Sequence, residues 1–180
     1  SSPELMTESL RLGAGLINDV RAFSRDGAIE AVKNSTAGLC VMHMKGTPLS
    51  MQQSPRYGSV VEEVCGFLKT ATEHLISHGV SSSRLLIDPG FGFGKTMQHN
   101  LQILNNIHQF RVLGFPVLVG LSRKSMFAEI LNKPVDERLF GSLAGAVVAA
   151  YQGAKIIRAH DVAETKDVVS VVNALNRCAE

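Results

Sequence analysis

A parallel α/β fold is predicted by three observations. Five short apolar runs recur along the chain, stretches of helical period separate them, and a glycine precedes each run closely. The runs are 15–20 (GLINDV), 38–44 (GLCVMHM), 84–88 (RLLID), 115–121 (FPVLVGL) and 155–161 (KIIRAHD). Nearly continuous Val, Ile and Leu over so few residues reads as strand buried on both faces. Strands that alternate with helices specify a parallel sheet.

The helical stretches follow in order. Across 57–78, Val60, Val61, Val64, Phe67, Leu68, Ala71, Leu75 and Ile76 recur at helical spacing. Across 99–113, Leu101, Leu104, Ile107 and Phe110 do the same, and 136–152 and 161–178 repeat the pattern. Gly13, Gly38, Gly79, Gly114 and Gly153 sit where a helix should stop, and glycine at C′ accepts the left-handed conformation that ends one. No linker, repeat or charge run divides the chain, so residues 1–180 are expected to form one domain.

Composition narrows the function classes. The 180 residues carry 18 Lys and Arg against 16 Asp and Glu, a formal charge of +2, which gives no case for nucleic acid. No apolar run reaches the length of a membrane span, and no secretory leader opens the sequence. The sequence lacks an initiator Met, so processing or trimming is expected. Cys40, Cys65 and Cys178 are too scattered for a disulfide framework, which fits a reducing, cytoplasmic setting.

The polar residues gather at one end of every strand. These ends read Asn18-Asp19, His43-Met44-Lys45, Asp88-Pro89-Gly90, Ser122-Arg123-Lys124-Ser125 and Arg158-Ala159-His160-Asp161. In parallel α/β structures such ends share the face where ligands bind. The run Asp88 to Thr96 (DPGFGFGKT) is neither a P-loop nor a dinucleotide fingerprint, because only three residues separate Gly90 from Gly94 and the pattern is G-x-G-x-G. Its glycines allow close backbone approach, and Phe91 and Phe93 offer flat apolar surfaces. Asp88 is a carboxylate at the end of a buried strand and needs donors, which a flat heterocycle with adjacent N–H groups supplies. Arg123, Lys124, Arg158 and His160 form a cation cluster suited to an anion such as phosphate, unless salt bridges to Asp19, Asp88 or Asp161 consume it. His74 and His78 lack the zinc-protease pattern and read as surface residues, while His99 and His108 read as structural. The cysteines lack zinc spacing, and no G-x-S-x-G marks a serine nucleophile.

Together the runs INDV (17–20), MHMKG (42–46), LIDPGFGFGK (86–95), GLSRKS (120–125) and IRAHDV (157–162) closely resemble the dihydropteroate synthase family, in its order and across essentially the whole chain. The resemblance implies a TIM-type (β/α)8 barrel and a homodimer. It implies condensation of p-aminobenzoate with 6-hydroxymethyl-7,8-dihydropterin diphosphate, with Mg²⁺, releasing diphosphate in folate biosynthesis. By motif match it places Asn18, Met42, Asp88 and Lys124 at the pterin and Asn18, Arg158 and His160 at the diphosphate. It places Phe93, Lys124 and Ser125 at the p-aminobenzoate, where sulfonamides compete. Asp88, Lys124 and Arg158 are the expected catalytic residues, working electrostatically.

The same resemblance marks a departure. Five strands are legible where such a barrel has eight. The family's N-x-T-P-D-S-F-S, G-x-E-S-T-R-P and D-T motifs do not occur, and Ser1-Ser2-Pro3 corresponds to the position just beyond D-T. The expected Mg²⁺ contact lies in those motifs, so no metal ligand is expected in this chain. The expectation is a truncated barrel, or one completed by a partner, poorly soluble at its open edges and weak or inactive in turnover. Two other readings remain: a methyltetrahydrofolate–corrinoid methyltransferase, against which the cation cluster argues, and a non-catalytic pterin-binding fragment.

Overall fold

In a computed structural model, which describes residues 2–46, 51 and 55–178, the five runs form five parallel strands. Ser1, in the Ser1-Ser2-Pro3 stretch matched to the position just beyond D-T, lies outside the described residues. The order is α1 (Pro3–Arg11), β1 (Leu16–Asp19), α2 (Ala28–Val32), β2 (Gly38–Met42), α3 (Val60–Ser77), β3 (Leu85–Asp88), α4 (Met97–Asn105), α5 (Ile107–Phe110), β4 (Leu118–Val119), α6 (Ser125–Leu131), α7 (Leu139–Tyr151), β5 (Ile156–Ile157) and α8 (Val162–Cys178). Strands β1, β2 and β3 pair in sequence, as do β4 and β5, and a bridge from Ile87 to Val117 joins the two sets. Pro116, with no N–H to donate, accepts from Ile87 N at 3.0 Å at this junction.

Register sorts the side chains into two faces. Partners across parallel strands point the same way, and residues alternate along each strand. Leu39, Val41, Leu85, Ile87, Val117 and Val119 share the helix-covered face and pack into the main core with Val64, Leu68, Ile103, Ile107 and Phe110. Asn18, Cys40, Met42, Asp88, Leu118, Gly120 and Arg158 line the other face. The sheet is an arc with edges at β1 and β5, where Leu16 and Ile156 are 40% and 37% exposed. The expectation of strands buried on both faces therefore holds for β2 and fails at the edges, which have a neighbour on one side only.

Several boundaries differ from the sequence reading. Gly13, Gly79, Gly114 and Gly153 have positive φ at helix ends, but Gly38 opens β2 instead. A side chain there would meet Leu16 and Leu86, so the position is fixed by packing between strands. The helix expected over 99–113 breaks at Asn106, whose Nδ2 donates to Gln102 O and so competes with the helical ladder. Helix α6 was missed, although Met126, Phe127, Ile130 and Leu131 have helical spacing and Asn132, in the left-handed region, ends it.

Arg84 secures the lower end of this arrangement. Its Nε donates to Ala37 O, Nη1 to Lys33 O, and Nη2 to Val32 O and Ser35 Oγ, all at 2.8–2.9 Å. One guanidinium thus meets carbonyls at and beyond the end of α2 and anchors them to the start of β3. Arg84→Ala is expected to cost about 2 kcal/mol of stability in urea unfolding, because several bonds to a charged donor are lost together.

Candidate functional site

Each strand ends in residues that rise into one rim. Asp88, the last residue of β3, is 1% exposed. Its Oδ1 accepts from Gly90 N at 2.7 Å, and its Oδ2 lies 3.4 Å from Arg158 Nη2. Burial pushes the Asp88 carboxyl up, while the Gly90 N–H, Arg158, Lys95 and Lys124 oppose that shift. The carboxylate is therefore held by donors on two sides, with its face toward the sheet's inner surface.

The residues beside it follow from register. Met42 pairs with Asp88 and is buried on the same face. Asn18 stands two strands from β3, with Cys40 between them, and its Oδ1 is buried without a partner. A buried carbonyl oxygen with no donor is a waiting acceptor. Burial, and then the Asp88 charge, push the Cys40 thiol up, so it is an inert neutral group in this wall.

The turn after β3 shows why its glycines are there. Gly90 has φ +72°, and a Cβ on it would stand 1.9 Å from His43 O. Gly94 has φ +67°, and a Cβ there would stand 2.3 Å from Lys45 O. The turn is thus wedged against the chain that leaves β2. Asn100 Oδ1 accepts from Gly92 N at 2.8 Å, and Tyr57 Oη donates to Gly94 O at 2.8 Å. Phe91 is buried in the core, while Phe93 is half-buried and carries Lys124 Nζ 4.5 Å above its ring centroid. Burial, then the nearby Arg158, lower the Lys124 ammonium from its ordinary value.

The cation cluster is smaller than the sequence suggests. Arg123 forms a two-point pair with Asp161, through Nε to Oδ2 at 3.1 Å and through Nη2 to Oδ1. That pair raises Arg123, lowers Asp161, and takes Arg123 out of the set available to an anion. It clips the β4 turn to the β5 turn, where His160 Nδ1 meets Ser122 Oγ at 3.0 Å. Arg158 leans on Asp88 through one nitrogen, lies over Gly120 and stays half-exposed. Ser125 is exposed in the first turn of α6, one residue beyond Lys124.

Asp88 thus touches Arg158, Lys124 stands on Phe93, and Asn18 and Met42 share the face beneath them. Sequence reasoning placed His43 among the polar strand ends but missed where it points. It is buried at 5% exposure on the helix side, edge-on to Phe67 at 4.9 Å. Strand alternation, with Met42 facing inward, was the available signal. Lys95 was quoted in the motif without a role, and it too is buried beneath the turn. His99 closes a capping box with Thr96 at the start of α4, and His74 on α3 and His78 at its C-terminal cap are exposed, as expected.

Known proteins match this arrangement. The family model described as pterin binding enzyme matches residues 1–160. A dihydropteroate synthase of Haemophilus influenzae is 47% identical over 174 residues, 97% of this chain and 63% of that protein. The Escherichia coli K12 dihydropteroate synthase is 46% identical over 97% of the chain and 62% of its own length. The crystal structure of the Yersinia pestis dihydropteroate synthase with a sulfonamide drug complex superposes with a TM-score of 0.96 at 43% identity, over all of this chain and 65% of that one. The Xanthomonas albilineans enzyme in complex with 7,8-dihydropteroate gives 0.90 at 40%, over 97% and 66%. The chain spans a little over three-fifths of these curated relatives.

Gly120 offers a direct test of the anion position. A Cβ there would stand 2.5 Å from Arg158 Nη2, the movable end of a long side chain. Gly120→Ala is expected to push the guanidinium off Asp88 while leaving the thermal midpoint little changed. Calorimetric titration with inorganic diphosphate should then show affinity weakened about tenfold, near 1.4 kcal/mol.

Proposed function

Because the chain belongs to the pterin binding enzyme family, we propose that it supplies the pterin and diphosphate side of a dihydropteroate synthase site, joining p-aminobenzoate to 6-hydroxymethyl-7,8-dihydropterin diphosphate. One observation carries the reading: a buried carboxylate, Asp88, lies against the Arg158 guanidinium on a face that also holds the unpartnered Asn18 Oδ1. Asp88 and Asn18 take the hydrogen-bonding edge of the pterin, with Met42 as the wall. Arg158 and His160 take the diphosphate. Lys124, Phe93 and Ser125 border the p-aminobenzoate, the position a sulfonamide would contest.

The chemistry needs no side-chain nucleophile. The aniline nitrogen forms a bond to the pterin methylene carbon as the C–O bond breaks, and the diphosphate leaves with that electron pair. The nitrogen then loses a proton to solvent. Arg158 and Lys124 offset the charge gathering on the departing oxygen. Asp88 steadies positive charge that spreads into the pterin ring as the C–O bond lengthens.

Mg²⁺ belongs to the same proposal as a companion of the diphosphate, where it would neutralise phosphate charge. The side chains described around the anion position are cationic, and among the described residues no three His, Cys, Asp or Glu side chains converge. These residues do not build a site for the ion, and no step here is routed through it. A homodimer is part of the reading too. Phe140, Ala144, Val148 and Tyr151 form an exposed stripe along α7, beside an apolar hollow lined by Phe127, Ile130 and Leu131. No helix among the described residues is long and apolar enough to cross a membrane, and a cytoplasmic setting fits the substrates proposed.

Asp88→Asn tests the reading. It keeps the shape and removes the charge, and is expected to weaken dihydropterin diphosphate binding and turnover by about a hundredfold, the scale of lost bonds to a charged acceptor. Turnover within a few-fold of the unsubstituted protein would overturn the electrostatic role. Tight binding of dihydropterin diphosphate with no product on adding p-aminobenzoate would instead make the chain a pterin-binding protein without catalysis.

A further inference from the structure

A buried ammonium lies beneath the site and takes no part in the chemistry above. Lys95 is 3% exposed, yet it carries a charge that is costly to bury unless donors and acceptors meet. Its Nζ lies 2.8 Å from His43 Nδ1, 2.9 Å from Gly90 O and 3.2 Å from Phe93 O. An ammonium has three hydrogens and no acceptor. Nδ1 therefore accepts, the His43 ring hydrogen sits on Nε2, and all three hydrogens are used.

We propose that Lys95 is a positioning residue: its ammonium, shared among His43 Nδ1 and the carbonyls of Gly90 and Phe93, fixes the turn that stands the Phe93 ring beneath Lys124. Other bonds hold the turn, among them Gly90 N to Asp88, Gly92 N to Asn100, Tyr57 to Gly94 O, and Phe93 N to Gly90 O at 3.1 Å. The last uses the Phe93 N–H and stays within the turn, while the Phe93 carbonyl is met by Lys95. Lys95 ties that carbonyl to the end of β2 through His43, which is braced edge-on by Phe67. Its effect falls on the aromatic side of the site. Asp88 is anchored separately, by the β2–β3 pairing, by His43 N donating to Asp88 O at 3.0 Å, and by Arg158. The inference rests on the reading of Phe93 and Lys124 as the p-aminobenzoate side.

Charge supports the geometry. Burial lowers Lys95 to about 7; Asp88 at the end of β3 opposes this and Lys124, ahead of α6, adds to it. Burial, Lys95 and Lys45 lower His43 to about 3, which keeps the ring neutral. His99, on α4, is lowered as well, by burial and then by Lys45 and Lys95. Above neutral pH a deprotonated Lys95 keeps two hydrogens and gains a lone pair, so its charge-assisted bonds to the turn give way to weaker neutral ones.

Lysine labelled with ¹³C at Cε reads this directly, because the Phe93 ring current shifts the Lys124 methylene. Phe93→Leu assigns that shift. In Lys95→Met the Lys124 signal is expected to move to the value of an exposed lysine. The Kd for p-aminobenzoate, measured with diphosphate present, should rise on the order of tenfold or more, while dihydropterin diphosphate, still held by Asp88 and Asn18, loses less affinity. A folded Lys95→Met protein with the Lys124 signal unmoved would overturn the proposal, and so would equal losses at both ligands. If the variant does not fold, the unsubstituted protein is titrated from about pH 6 to 9. The ring-current part of the Lys124 shift should then fall with the midpoint of Lys95's own signal; a constant ring-current shift while Lys95 titrates would overturn the proposal. Should p-aminobenzoate fail to bind while the two signals move together, the tie stands and the assignment of the aromatic side falls.

Discussion

Asp88 is a carboxylate buried at the end of a strand, and much of the rim exists to make that tolerable. Removing a charge from water costs several kcal/mol unless hydrogen bonds and opposite charge replace the solvent. Gly90 N supplies the first bond, which requires the chain to turn sharply back on itself. The turn brings the backbone against the carbonyls of His43 and Lys45, and a side chain at Gly90 or Gly94 has no room. Arg158 supplies opposite charge from two strands away, and Gly120 is bare so that the guanidinium can cross the sheet. Fold and chemistry meet at this single group.

The two faces of the sheet divide the work. The helix-covered face holds Val, Leu and Ile and supplies cohesion. The opposite face carries Asn18, Asp88 and Arg158, which contribute hydrogen-bond capacity and charge, with Cys40 and Met42 as an inert wall between them. Burial holds the middle of the arc firmly, while β1 and β5 present apolar residues to solvent.

The strand order and the shared rim were legible in the sequence because both rest on local patterns: short apolar runs, glycine at helix ends, polar residues at one end of each run. The assignment of Asp88 to a needy buried position followed from the apolar residues before it. Three things were hidden. Arg123 read as one more cation until its pairing with Asp161, thirty-eight residues away, was visible. His43 and Lys95 meet across fifty-two residues, a contact no local pattern encodes. Asn106 breaks a helix through its own side chain, while the apolar spacing runs on undisturbed. Long-range polar contacts were hidden, and apolar periodicity was not.

The wedging of Gly90 and Gly94 against a neighbouring strand end has a mechanical consequence. A segment whose backbone lies against another backbone has little room to close further, so this part of the rim acts as an anvil rather than a flap for as long as its ties hold. A molecule seated on it must bring the complementary shape, and whatever adjusts to enclose that molecule must be some other portion of the rim.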